Sequence, residues 1–161
     1  MKIFKTFDEI FDVLPLELQI TMTKLKSNPE RLDFHPEGNT YDHIKIVTER
    51  LIQTGDINLI MSGVFHDIGK LTTTKTNPKT GMPCAFGHEV ASSKVVKKHA
   101  DFITEMGGDV EEVFEIVINH MKVKQMAKMR TVKQNALREL KTFPKLEVFT
   151  RADSMLKEFI L

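Results

Sequence analysis

The sequence predicts an all-α domain of about seven helices. Apolar residues recur at three- and four-residue steps over several segments, which is the spacing of one helix face. No segment sustains the alternation of apolar and polar residues that is typical of a strand. At 161 residues, the chain has the length of one domain with a substantial core.

Two apolar stripes predict the first helices. Their members are Phe4, Phe7, Phe11, Leu14 and Leu18, followed by Ile44, Val47 and Leu51. Pro15 is suited to the first turn of a second helix. We expect a helix over about 40–54 that Gly55 ends.

The rest of the chain reads as helices separated by turn-rich segments. Residues 57–67 form a short apolar helix, and residues 72–87, rich in Thr, Pro and Gly, form a loop without periodicity. A helix over 88–106 ends at the "GGD" sequence of 107–109, and a further helix runs over 110–121. We expect the last two helices at 131–141 and 144–160.

Composition excludes some classes of function. Lys and Arg number 23 against 22 Asp and Glu, so net charge gives no reason to expect general binding to nucleic acid or anionic membranes. The longest apolar stretch is interrupted and well short of the ~20 residues that span a bilayer. The single cysteine, Cys84, indicates a reducing compartment, so we expect a cytoplasmic protein without a membrane segment. Nothing in the sequence indicates an oligomeric state.

Four scattered polar residues suggest a metal site. His66 and Asp67 end an apolar run, where Gly69 is expected to break the helix, while Asp153 lies among apolar residues at helical spacing. Alone, Asp153 is as readily a salt-bridged core residue, and His43 at the start of its helix an ordinary histidine. Together they would form a mixed nitrogen and oxygen site for a divalent ion with open coordination positions. A closed structural zinc site is the weaker interpretation because such sites are usually rich in cysteine.

The same residues resemble a known family. His43, the pair His66-Asp67 and Asp153 match the H…HD…D signature of the HD superfamily of metal-dependent phosphohydrolases, which are all-α proteins. Five ordered blocks are similar to the HD domain of bacterial tRNA nucleotidyltransferases, the CCA-adding enzymes: "HPEGNTYDH", "FHDIGK", "GHE", "NHMK" and "RADS". We therefore predict one HD domain over 1–161, with an N-terminal helical extension at 1–34 and an HD core at 35–155. Nothing resembles the nucleotidyltransferase head, so nucleotide addition is not predicted.

The resemblance implies a reaction. The expected activity is hydrolysis of a nucleotide or RNA phosphate ester, either a 2′,3′-cyclic phosphodiester or a phosphomonoester. A divalent ion (Mn, Ni, Co, Fe, Zn or Mg) held by His43, His66, Asp67 and Asp153 would bind a phosphoryl oxygen and activate water, with Asp67 and Lys70 as the catalytic residues. As a lone lysine, Lys70 would otherwise be simply solvated.

Two more histidines have alternative roles. His88 and His120 would complete a second metal position or, in the slightly favoured alternative, stabilise developing phosphate charge. A satisfied core histidine for His120 and a capping or loop residue for His88 remain the ordinary interpretations.

The substrate-binding predictions are weaker. They concern Lys122, Arg151 and His35, where Arg151 is by default a structural ion-pair residue and His35 a turn residue beside the site. The basic run "KVKQMAKMR" after Met121 would bind polynucleotide phosphates if it borders the site, and would otherwise be a solvated face. It bears on whether the substrate is a free nucleotide or an RNA end.

Two alternatives to an enzyme remain open. One is a catalytically silent HD-fold module that binds nucleic acid or protein, and the other is a structural metalloprotein that unfolds when the ion is removed.

Overall fold

The computed structural model describes residues 3–154, which form a helical bundle with one small ribbon. Its α-helices are α1 Phe7–Val13, α2 Leu16–Leu25, α3 Thr40–Ile52, α4 Ile57–Phe65, α5 Lys70–Thr73, α6 His88–Lys98, α7 Ala100–Glu105, α8 Val110–Asn119, α9 Thr131–Arg138 and α10 Phe143–Asp153. A 3-10 turn covers Met126–Lys128, and strands β1 Lys75–Thr76 and β2 Pro83–Cys84 pair antiparallel. The all-α prediction is confirmed.

Side-chain caps fix where the site-bearing helices begin. Asn39 accepts a hydrogen bond from the backbone N–H of Asp42 at 2.9 Å, which starts α3 just before His43. Asp56 accepts from the N–H groups of Asn58 and Leu59 and starts α4. Such caps satisfy backbone donors that have no partner within the helix.

Helix α4 lies at the centre of the bundle. Every residue of α4 except Asn58 is buried, and the helix packs against α3, α6, α8 and α10. The chain leaves α4 directly into His66 and Asp67, which places both side chains in the middle of the bundle. Because burying a polar side chain without a partner is costly, this position requires compensating contacts.

The N-terminal helices share the main core. Phe7 and Ile10 of α1 and Leu18 of α2 pack in one apolar cluster with Ile44 of α3 and Val64 of α4. The division between an extension at 1–34 and a core at 35–155 stays a prediction. Within the described residues, no helix has the length and apolar character needed to cross a membrane.

Several predicted element boundaries need correction. Residues 88–106 form two helices, α6 and α7, which meet at His99, where the backbone leaves helical geometry (φ −106°, ψ 30°). The expected loop at 72–87 contains the ribbon, although the sequence showed no strand. Helix α9 ends at Arg138, three residues before the predicted end. Of the predicted helix at 144–160, residues 155–160 lie outside the described residues.

Gly69 has a different role from the expected helix breaker. Helix α4 ends at Phe65, before His66, and Gly69 has helical dihedral angles (φ −66°, ψ −13°). A Cβ atom at Gly69 would lie 2.5 Å from the backbone N of Ser92 and 2.6 Å from the carbonyl O of His88. The glycine therefore allows the turn after His66-Asp67 to lie directly against α6, and its own N–H donates to Ser92 Oγ at 2.8 Å.

Candidate metal centre

The four predicted ligands converge in the structure. His43 comes from the first turn of α3, His66 and Asp67 from the turn after α4, and Asp153 from the last residue of α10. His43 Nε2 lies 2.8 Å from Asp153 Oδ1 and 3.4 Å from Asp67 Oδ2. His66 Nε2 lies 3.4 Å from the same Asp67 oxygen and 3.5 Å from Asp153 Oδ1. All four side chains are buried.

Asp67 stands between two pairs of histidines. Its Oδ2 faces His43 and His66, while its Oδ1 lies 3.1 Å from His88 Nε2 and 3.5 Å from His120 Nε2. Two sets of three ligand atoms, each set within 4.8 Å, therefore share Asp67: one with His43 and His66, the other with His88 and His120. Helices α6 and α8 supply the second pair, from the first residue of α6 and from the residue that follows α8.

Backbone carbonyls fix which ring nitrogen of three histidines carries the proton. The Nδ1 atoms of His66, His88 and His120 lie 2.7, 2.9 and 2.6 Å from the carbonyl oxygens of Gly63, Ala85 and Val117. Since a carbonyl only accepts, Nδ1 donates, and in the neutral ring Nε2 keeps a lone pair directed into the cluster.

The inward lone pairs fit a cation. The Nε2 atoms of His43 and His66 are 3.3 Å apart, and those of His88 and His120 are 3.2 Å apart. Two lone pairs at such distances, beside carboxylate oxygens, repel one another unless a proton or a cation lies among them. The nitrogen and carboxylate donors suit divalent metals from Mg to Zn. The buried His and Asp groups can hold such an ion.

Glu37 orients His43 from outside the cluster. His43 Nδ1 lies 2.7 Å from Glu37 Oε1, so the carboxylate holds the ring with Nε2 directed inward, as ligand histidines are commonly held. Burial raises the pKa of Glu37, but the imidazole of His35 at 3.3 Å and the hydrogen bond with His43 lower it to about 2. Burial lowers the pKa of His43, whereas its hydrogen bonds to Asp153 and Glu37 raise it to about 9.

Two lysines balance the charge of the carboxylates. Lys70 Nζ lies 3.0 Å from Asp67 Oδ2 and 2.9 Å from Glu30 Oε1, and Lys124 Nζ lies 2.6 Å from Asp153 Oδ2. Burial raises the pKa of both aspartates, but the histidines and Lys70 around Asp67, and Lys124 beside Asp153, hold each pKa well below its usual range. Lys70 is buried and paired, so simple solvation, the ordinary interpretation of this residue, is wrong.

His88 and His120 differ electrostatically although both face Asp67 Oδ1. Burial lowers the pKa of each ring. In His88 burial is the largest single effect, but the hydrogen bond and the charge of Asp67, with the hydrogen bond to Ala85, together raise the pKa, whereas in the fully enclosed His120 burial prevails. Of these two rings, His120 more readily offers an unprotonated nitrogen.

A cavity gives access to one side of the cluster. It measures about 480 Å³ and is lined by His35, Lys70, His88 and Lys122, among other residues. Two of the weaker substrate-binding predictions, His35 and Lys122, thus lie at this cavity. Arg151 is exposed, and its guanidinium forms no ion pair or hydrogen bond within residues 3–154, so the structural ion pair expected for it is not found there.

Sequence reasoning did not assign three contributors to the site. Glu37 lay in a stretch that Pro and Gly explain as a turn, although the resemblance placed this loop beside the site. Lys124 belonged to a basic run that otherwise indicates a solvated face. Glu30, the partner of Lys70, carried no signal, because the two residues are 40 positions apart.

Comparisons with known proteins agree with this geometry. The HD domain family model matches residues 40–157. The chain is 33% identical over 70 residues to a "Multifunctional CCA protein" of Burkholderia vietnamiensis, covering 43% of this chain and 16% of that protein. A protein of the same name from Cupriavidus taiwanensis is 31% identical over 78 residues, covering 48% and 18%.

These matches cover only a small part of each related protein. The matched segment spans less than a fifth of the length of either CCA protein. No solved structure gives a significant match. The family model covers most of this chain, in the region that supplies His43, His66, Asp67, His88, His120 and Asp153. The chain belongs to the HD domain family, whose members bind divalent metals and are generally metal-dependent hydrolases.

Proposed function

We propose that this protein is a metal-dependent phosphohydrolase that cleaves a phosphate ester of a nucleotide or of RNA, either a 2′,3′-cyclic phosphodiester or a phosphomonoester. One observation carries the proposal: the two oxygens of Asp67 each face a pair of histidine Nε2 atoms in a buried cluster. Two metal ions held side by side by these residues would suit the displacement of an oxygen at phosphorus.

The ligand atoms divide into two groups. His43, His66, Asp67 and Asp153 would hold one ion, and Asp67, His88 and His120 would hold a second. When bound, the ions supply Lewis-acid activation of the phosphoryl group and of the attacking water. Asp67 belongs to both groups of ligand atoms, and its ion pair with Lys70 holds it in place. Asp67 would therefore fix the distance between the two groups.

The hydrogen bonds of His88 and His120 support the second metal position over direct stabilisation of phosphate charge. Each ring already donates its Nδ1–H to a backbone carbonyl. Burial lowers the pKa of His120 and favours its neutral ring, which in that tautomer has no N–H left to donate to a phosphate oxygen. The inward Nε2 lone pair is instead suited to bind a cation.

The remaining residues have supporting tasks. Glu37 orients His43, and Glu30 positions Lys70. Lys122, exposed at the wall of the cavity, would attract an incoming phosphate as a point charge. The resemblance to the HD domain of CCA-adding enzymes supports testing 2′,3′-cyclic nucleotides and RNA 3′ ends first.

The test is a panel of phosphate esters assayed with several divalent ions, together with elemental analysis of the purified protein. We expect metal-stimulated hydrolysis of at least one nucleotide ester and its loss in Asp67→Ala, with helical content by circular dichroism unchanged. Asp101→Ala, at an exposed carboxylate on α7, is the matched control and should retain activity.

Two results would overturn the proposal. Undiminished turnover in Asp67→Ala would remove the metal cluster from the reaction. A protein that binds metal tightly but cleaves no ester would instead be the silent HD-fold binding module.

A further inference from the structure

We infer that Phe34 and Phe86 form a nucleobase subsite beside the metal centre. This inference rests on the proposed function, because it identifies the part of the substrate that lies outside the metal cluster. The observation is that both rings line the same cavity as Lys70 and His88, which contact the two oxygens of Asp67.

The two rings are unusually exposed. Phe34 is 59% and Phe86 83% accessible to solvent, and no other phenylalanine among residues 3–154 is as exposed. Contact between an aromatic ring and water is unfavourable, and burial of the ring against a ligand would remove this free-energy cost. Both exposed rings line the same cavity, whereas the other described phenylalanines are buried or partly buried.

The cavity has the size of a small-molecule site. Its volume of about 480 Å³ is within the ~300–1,000 Å³ range of ligand pockets. A nucleobase is a flat, apolar-faced group that stacks on aromatic side chains. The guanidinium of Arg31, which also lines the cavity, covers one face of Phe34 at 4.4 Å from the ring centroid, so a base would stack on the other face.

Polar groups in the cavity suit the edge of a base and its attached phosphate. Asn77 and Gln125 line the cavity, and amide side chains of this kind can donate to or accept from a base edge. Lys122 is exposed at the same wall. The ester phosphate would lie toward His88, and the base would lie toward Phe34 and Phe86.

The test uses ligands without a phosphate, so that binding is read independently of hydrolysis. The chain contains no tryptophan, and Phe86→Trp therefore introduces a single fluorescent reporter that keeps an aromatic ring in place. In the metal-loaded protein we expect adenosine to quench this fluorescence saturably and ribose to leave it unchanged. Val132→Trp, at an 80% exposed position on α9 outside the cavity lining, is the control and should respond to neither.

Alanine variants, titrated by isothermal titration calorimetry because they lack the tryptophan reporter, measure the contribution of each ring. Phe34→Ala and Phe86→Ala should each lower the affinity for adenosine about tenfold, while Phe86→Tyr retains most of it and Val132→Ala all of it. A single-stranded oligonucleotide ending in adenosine, titrated in the same way, distinguishes a strand end from a free nucleotide as the source of the base.

The outcomes separate this inference from the proposed function. Equal quenching by ribose and adenosine, or unchanged adenosine affinity in the Phe34→Ala, Phe86→Ala double variant, would overturn the subsite even if esters are hydrolysed. Ring-dependent binding of adenosine in a protein that cleaves no ester would support the subsite and remove the hydrolase.

Discussion

Lys124 and Asp153 form an ion pair that leaves the other carboxylate oxygen to the histidines. Lys124 Nζ lies 2.6 Å from Asp153 Oδ2, and His43 Nε2 lies 2.8 Å from Asp153 Oδ1. Lys124 comes from the segment between α8 and α9, so a residue outside the metal cluster sets the orientation of one of its carboxylates.

We expect Lys124→Met to lower the affinity for Mn²⁺ about 10–100-fold, as is typical when a group that orients a metal ligand is removed. Without the ammonium, the pKa of Asp153 rises and a proton competes with the metal. Isothermal titration calorimetry measures the change. Lys128→Met, at an exposed lysine in the 3-10 turn, is the matched control, and equal affinities in the two variants would contradict the assigned role.

Glu37 should stabilise the metal-free protein in a pH-dependent way. Its folded pKa of about 2 lies below the ordinary value of 4.5, so its contribution is complete above pH 4.5 and is lost as the pH falls toward 2. In the presence of a chelator, the Tm of the wild-type protein should therefore exceed that of Glu37→Gln by a constant difference between pH 7 and 5. This difference should decrease below pH 4.5. A difference that stays constant down to pH 3 would show that this carboxylate is not the stabilising group.

Metal binding should release a proton from His43 at neutral pH. The pKa of His43 in the metal-free protein is raised to about 9, whereas a metal ligand must be the neutral ring. Calorimetry in buffers of different ionisation enthalpy should report about one or more protons released at pH 7, fewer as the pH rises through 9. Glu37→Gln, which removes one of the hydrogen bonds that raise this pKa, should release less at the same pH. Buffer-independent heats at pH 7 would exclude a protonated His43.

Gly69→Ala should destabilise the fold although its backbone angles are ordinary. The added Cβ would meet backbone atoms of α6 at 2.5 and 2.6 Å, and overpacking of this kind costs about 1–3 kcal/mol. For a chain of this size we expect a decrease of about 3–10 °C in Tm, together with weaker metal binding because Asp67 and His88 are displaced.

Gly81→Ala is the control that distinguishes a steric clash at Gly69 from the general effect of replacing a glycine. A Cβ at Gly81 meets nothing within 4 Å, and the residue carries only the strain of its positive φ of 69°. It should leave metal affinity unchanged. A normal metal affinity in Gly69→Ala would mean that α6 can move away without disturbing the cluster.

The sequence predicts the features that depend on residues close together in the chain better than those that depend on distant residues. The spacing of apolar residues was sufficient for the helices, and the signature blocks were sufficient to bring His43, His66, Asp67 and Asp153 together. The break at His99 was missed because no Gly or Pro marks it, and the ribbon was missed because strands of two residues are too short to show alternation.

The supporting contacts of the site could not be predicted for a different reason. Glu30 pairs with Lys70 across 40 positions, and Lys124, between α8 and α9, pairs with Asp153 at the end of α10. The packing of the helices determines which of these side chains form pairs, and this packing cannot be read from a single sequence.

The contact between His43 and Asp153 joins residues 110 positions apart. On the ribosome, a growing chain that has not yet exposed α10 already contains the four imidazoles and Asp67, but not Asp153. The complete set of ligands therefore forms only after nearly all of the described chain has been synthesised.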